Sequence, residues 1–147
     1  MKIPNKKNII LGILAVLVII QFFQIDKTPV PVDASQDYLS LTNPPEAVGK
    51  LIKDACYDCH SMQTTWPWYT SIQPVGWWIR GHTRGGRIHL DFSKWADYDA
   101  GKQAHKLEEC VEQMEEQLMP LKSYTWTHPE AQLSDTDRAA LIAWFKK

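Results

Sequence analysis

The five residues Cys56-Tyr57-Asp58-Cys59-His60 constrain this chain more than any other stretch. Two thiols stand about one helical turn apart, and an imidazole follows directly. That is the pattern of a c-type haem attachment site. Each thiol would add across one vinyl group of the macrocycle to give a thioether, and the histidine would become the proximal iron ligand. Such a chain must then supply a wrapping for a flat apolar disc and a ligand for the other iron face. Two competing readings of the cysteines are a redox disulfide and half of a zinc site. The first wants a βαβ context, which the sequence lacks. The second wants four ligands, commonly in two pairs, and only Cys110 and scattered histidines are at hand.

A length of 147 residues and a net charge of −1 allow one ordinary domain with additions. With no basic excess, nucleic acid is not expected as a partner. All seven tryptophans fall between residues 66 and 144. Aromatic side chains bury large areas and pack well against a macrocycle, although they also make ordinary cofactor-free cores. Three cysteines cannot all pair, which argues against a pure disulfide framework. If Cys56 and Cys59 take haem, Cys110 remains as a single, small, buried thiol.

The N-terminal residues divide the chain. Residues 1–7 carry Lys2, Lys6 and Lys7 and no acid, and read as a basic cytoplasmic N-terminus. An apolar run then extends from Ile9 to Ile20 and onward through Phe22, Phe23 and Ile25. At roughly 17 residues it approaches the lower limit of a transmembrane helix. Residues 8–25 are therefore expected to be an uncleaved signal anchor, with the membrane as a partner. Positive charge ahead of the run would send the remainder to the periplasmic side of the cytoplasmic membrane. A cleaved signal peptide is the competing reading, with Val32-Asp33-Ala34 as the processing site. Residues 26–36, with Pro29 and Pro31, read as an extended linker.

Residues 37–147 carry 12 basic and 15 acidic side chains, a net of −3, and their patterns are helical. Asn43-Pro44-Pro45-Glu46 reads as a helix start with Asn43 as the cap. Val48, Leu51, Ile52 and Ala55 follow at helical spacing and lead into the cysteine pair. Pro74 opens a second helix with Val75, Trp78, Ile79 and His82 on one face, and Gly85-Gly86 would end or break it. Phe92 and Trp95 are expected to anchor an irregular stretch. Ala104, Leu107, Val111, Met114 and Leu118 mark a long helix over 100–118, ended by Met119-Pro120-Leu121. Ser134-Asp135-Thr136-Asp137 is a capping box for a last helix carrying Leu141, Ile142 and Phe145. The expected fold is all-α: a cytochrome c-like small helical domain over 37–147 around one haem, preceded by a transmembrane helix.

Several separate segments resemble the bacterial haem-binding domain family built around Cys-Tyr-Asp-Cys-His. They are Cys56 to Ser61; Tyr69 with Pro74-Val75 and Trp77-Trp78; Gly86-Arg87 with His89 to Ser93 and Trp95; Met119-Pro120-Leu121 with Tyr124; and His128-Pro129 through Leu133-Ser134. The resemblance covers about residues 45 to 145. It departs at Asp91, where the family pattern leads one to expect Asn. It implies haem binding, commonly in membrane-anchored proteins or beside cytochrome c peroxidase modules, and no defined substrate.

One covalently attached haem c, held by Cys56 and Cys59 with His60 as axial ligand, is the expected cofactor. The second ring nitrogen of His60 needs an acceptor to fix its tautomer, and a carbonyl beside Pro74 is the candidate. For the sixth ligand the sequence offers Met119, in a Met-Pro loop before the last helix, with His128 as the alternative. Met/His ligation raises the reduction potential, but a methionine beside an apolar stripe is also ordinary core filler. Met114 sits within the stripe, His82 shares a face with Trp78, and Met62 is too near His60 to reach over the opposite haem face. Arg80, Arg84 and Arg87 are candidates for haem propionates, against the plain reading of a solvated basic face. The five glutamates between 108 and 116 could dock a basic redox partner or simply face water. No carboxylate pair, nucleophile–base constellation or phosphate loop points to catalysis. Single-electron transfer is the expected function. The alternatives are a peroxidase-associated haem module or a haem-based gas sensor, both of which need an open sixth position.

Overall fold

The structure, a computed structural model, describes residues 5–147. Every regular element among them is helical, and none is a strand. In chain order these are α1 (Lys6–Ile20), α2 (Tyr38–Thr42) and α3 (Glu46–Ile52), then a π-helical turn (Lys53–Tyr57) and α4 (Asp58–His60). A 3₁₀ turn (Trp68–Ser71), α5 (Val75–His89), a second 3₁₀ turn (Phe92–Asp97), α6 (Ala100–Glu115), α7 (Lys122–Thr125), a last 3₁₀ turn (Pro129–Ala131) and α8 (Asp135–Phe145) follow. The chain divides into two compact units. One holds the residues up to Thr28 together with Thr65–His82, and the other holds Pro29–Thr64 and Thr83–Lys147.

In the first unit, α1 starts at the Asn5 cap, whose side chain accepts from the Lys7 amide. Its aliphatic residues are exposed. At 15 residues it is about 22 Å long, against a hydrocarbon thickness of about 30 Å. No helix among the described residues is long and apolar enough to cross a membrane. The signal anchor expected over 8–25 is thereby corrected. With it go the membrane partner and the single-pass placement with a periplasmic haem domain. The physical reason lies at Gln21. Its side-chain amide donates to Leu17 O and to Gln73 O, and its Oε1 accepts from the Gln73 amide. The chain leaves the helix there instead of extending it through Phe22 and Ile25. Gln24 Oε1 and Trp77 Nε1 add further bonds between these two segments of the unit, to Gln73 Nε2 and Phe23 O. The expected basic stretch 1–7 lies partly outside the described residues.

The second unit holds the core. Tyr38, Ile52, Tyr57, Phe92, Trp95, Met114, Leu141 and Phe145 form its centre. α6 packs along α8, α3 also rests on α8, and α2 lies against the Phe92–Asp97 turn. Phe92 and Trp95 are buried as expected. α2 is a short helix that the sequence pattern did not announce; Asp37 caps it through the Leu39 and Ser40 amides. Asn43 ends α2 in the left-handed region, φ 44°, instead of starting α3. Pro45 pushes its predecessor out of the helical region, so α3 opens only at Glu46 with no side-chain cap. The Ser134–Asp137 capping box forms as read, with hydrogen bonds in both directions. α6 stops at Glu115, short of Leu118, because Gln117 turns left-handed at φ 56°.

Gly85-Gly86 does not break α5, which continues to His89. Gly86 is there for a different reason. A Cβ at that position would lie 2.6 Å from Cys59 O, so only a glycine lets the helix meet the backbone of the cysteine motif.

Candidate functional site

Cys56, Cys59 and His60 lie on one continuous helical run from α3 through the π turn into α4. The π turn carries Cys56; such turns often mark functional positions within helices. Tyr57 between the cysteines is buried and stacks on Phe92, with centroids 5.4 Å apart and 14° between planes. Its hydroxyl donates to Asp37 Oδ1 at 3.1 Å and accepts from the Leu39 amide at 3.2 Å. Tyr57 is thus the anchor that fixes the rotation of the helical run.

The trailing residues are bound as closely. Ser61 Oγ donates to Tyr57 O at 2.7 Å, and the Met62 amide donates to Ser93 Oγ at 2.9 Å. Arg87 Nε donates to Ser61 O and Arg87 Nη2 to Thr64 Oγ1, each at 2.7 Å. Arg87 is therefore spent on Ser61 and Thr64, just after the motif. Arg80 and Arg84 are exposed on α5; Arg84 belongs to the unit of the motif and Arg80 to the other.

His60 Nδ1 bonds to Leu90 O at 3.1 Å. The acceptor is thus the carbonyl of the residue just after α5, and the expected partner beside Pro74 is corrected to Leu90. Burial lowers the His60 pKa, partly offset by the Leu90 and Gly86 carbonyls. The lowered pKa favours the neutral ring, which is the form that can bind a metal.

No cysteine is in a disulfide. Burial pushes the Cys59 thiol up to about 11 and the Cys110 thiol to about 12, and raises Cys56 further, with Cys110 and Cys59 adding to the Cys56 shift. Cys110 is part-buried beside the core, as read. Among the described residues, no group of three or more His, Cys, Asp or Glu side chains is arranged to hold a metal ion. The zinc reading of the cysteines has no counterpart there.

Met119 is part-buried against the core. Its carbonyl accepts from Arg138 Nη1 at 2.8 Å. Tyr124, five positions on, donates to Asp58 Oδ2 at 2.9 Å. Burial and the Asp58 carboxylate raise the Tyr124 pKa, so it remains a donor. The 119–128 segment is therefore tied to the motif through Asp58. His128 lies flat on Tyr124, centroids 4.0 Å apart, with Nδ1 3.0 Å from Tyr124 O. Met114 is buried in the core. His82 bonds Trp78 O within its own helix.

Leu90 O, the Tyr124–Asp58 hydrogen bond and Arg138 had no role in the sequence reading, although Asp58 and Tyr124 fall in segments that carry the family resemblance. Gly86, in another such segment, was read as punctuation.

The donor set fits haem. Two unpaired thiols and an oriented imidazole share one helical run, and Gly86 lets α5 pack on the backbone of Cys59. A small helical domain organised around a Cys-x-x-Cys-His run is the class that the fold and site define. The chain belongs to the haem-binding domain family, which matches residues 15–147, and it is accordingly a haem-binding protein with haem as its cofactor. No curated protein and no solved structure matches it.

Proposed function

We propose that the protein is a c-type cytochrome-like carrier of single electrons. Cys56 and Cys59 would hold one haem through thioethers, each S–H adding across a vinyl so that sulfur takes one carbon and hydrogen the other. His60 and Met119 would ligate its iron. Bound haem supplies a one-electron iron couple; the chain's part is to fix ligands and exclude water. The observation that carries this reading is the His60 ring, oriented by Leu90 O directly after the two thiols. Leu90 O sets the tautomer, and Tyr57 on Phe92 sets the helix rotation.

Met119 is favoured over His128 because His128 is stacked on Tyr124 and bonded to its carbonyl. Arg84 is the exposed guanidinium in the motif's unit and is assigned to a propionate. The reading gives the protein no substrate turnover.

The test is spectroscopic. The full chain, matured with a c-type haem ligation system, should carry haem that survives acid–organic extraction. It should be low-spin, show a Met–iron charge-transfer band and ignore carbon monoxide. Met119→Ala should lose the band, and His128→Ala should keep it. Haem that extracts freely defeats the covalent assignment. High-spin ferric haem that takes up carbon monoxide readily favours the peroxidase-associated or gas-sensing reading instead.

A further inference from the structure

The backbone around Met119 is gripped from outside its own segment. α6 ends at Glu115, and Gln117 turns the chain through a left-handed conformation. The Leu118 and Met119 amides then both donate to Gln113 O, at 3.1 and 3.4 Å. On the other side of the residue, Arg138 Nη1 donates to Met119 O at 2.8 Å. The same nitrogen lies 3.3 Å from Met114 O and 3.8 Å from Met114 Sδ. One guanidinium therefore spans the end of α6 and the loop that follows it.

Arg138 is itself firmly based. Its amide donates to Ser134 O in the first turn of α8, a helix fixed by the capping box and by buried Leu141 and Phe145. Charge-assisted hydrogen bonds are stronger than neutral ones, and a planar guanidinium on a rigid helix loses little freedom in making them.

We propose that Arg138 is the positioning residue of the sixth ligand. It holds the Met119 carbonyl so that the thioether leaves the backbone from a fixed point. This rests on the reading of Met119 as ligand. Arginine is always charged, so a guanidinium beside Met119 would oppose a gain of positive charge at an iron held there. Arg138 thus also favours the reduced state.

The experiment uses the full chain, with and without haem. In the haem-loaded protein, Arg138→Ala should keep its covalent haem but lose most of the charge-transfer band and begin to bind carbon monoxide. Arg138→Lys should recover part of the band, and Arg138→Gln should keep more band than Ala while lowering the reduction potential. In the haem-free chain, amide exchange at Leu118 and Met119 should quicken about tenfold in Arg138→Ala, the scale of one lost charge-assisted bond, and less in Arg138→Lys. An Arg138→Ala protein with band, carbon monoxide silence and exchange all unchanged overturns the proposal. If Arg138→Ala does not fold, Arg138→Lys and Arg138→Gln decide: wild-type band, exchange and potential in both overturn it. Met119→Ala separates the two levels. If it keeps the band, the ligand reading itself is wrong. If it loses the band while Arg138→Ala keeps it, only the role of Arg138 falls.

Discussion

The stretch from Glu46 to His60 and the stretch from Glu116 to His128 are held in different ways. The first is a continuous helical run with its own amphipathic register, and its central Tyr57 is sunk into the core. The second contains a left-handed Gln117 and the short α7, which has no side-chain cap. It is fixed by partners elsewhere: Met119 by Arg138, 19 positions on, and Tyr124 by Asp58, 66 positions back. The motif side is shaped by nearest neighbours, and the Met119 side by tertiary hydrogen bonds. The first should therefore fail through loss of packing, and the second through loss of single polar contacts.

The largest expected effect is on the motif side. Phe92 is 1% exposed and stacks on Tyr57. Phe92→Ala should cost about 3–5 kcal/mol, the usual range for emptying a buried aromatic site, measured by denaturant unfolding of the haem-free chain. A cost below about 1 kcal/mol, the scale of an ordinary surface change, would mean that the motif run stands without the core, and the contrast would collapse.

Next comes the link between the stretches. Tyr124→Phe removes the donor to the Asp58 carboxylate but keeps the ring that stacks on His128. A hydrogen bond to a charged group is worth about 1.5–3 kcal/mol; Tyr124 is only part-buried, so the low end is expected. Amide exchange should rise from Leu121 to Thr127 and not at Tyr57. Equal increases in both stretches would show that they unfold as one piece.

The third effect returns to the motif. Gly86→Ala drives a Cβ into Cys59 O and C, 2.6 and 3.1 Å away. Both are backbone atoms and cannot swing aside. Overpacking of this kind costs about 1–3 kcal/mol, reduced by up to about 1 kcal/mol of helix propensity gained. The expected outcome is a net loss of about 0–2 kcal/mol from those two terms, together with a lower yield of covalent haem during maturation.

What the sequence made legible follows the same division. The motif run, the Phe92 and Trp95 anchors and the Ser134 capping box were readable because each depends on residues within about one turn of itself. Asn43 was misread because cap residues are alike at either helix end until the prolines are weighed: it closes α2, and Pro45 delays α3. The apolar run from Ile9 was correctly seen, but its helical length was not. That depends on Gln21 meeting Gln73, 52 positions away. The same blindness hid Leu90 O behind His60, and Arg138 behind Met119. Neither acceptor nor donor leaves a local pattern.

The smallest expected effect has the opposite sign and isolates the cause of the third. Gly85 precedes Gly86 on the same helix, yet a Cβ there would meet nothing within 4 Å. Both residues share backbone conformation, neighbours in sequence and helix propensity. Gly85→Ala should therefore gain stability by about 0.5–1 kcal/mol, since it lowers the entropy of the unfolded chain without a clash. Thermal and denaturant unfolding of the two single variants, side by side, measure the difference that one Cβ against Cys59 makes. If Gly85→Ala also destabilises the chain, α5 needs flexibility at both glycines, and the loss in Gly86→Ala cannot be ascribed to its approach to the motif. If Gly85→Ala stabilises while Gly86→Ala does not, the close packing of α5 on the Cys59 carbonyl is the constraint that keeps a glycine at position 86.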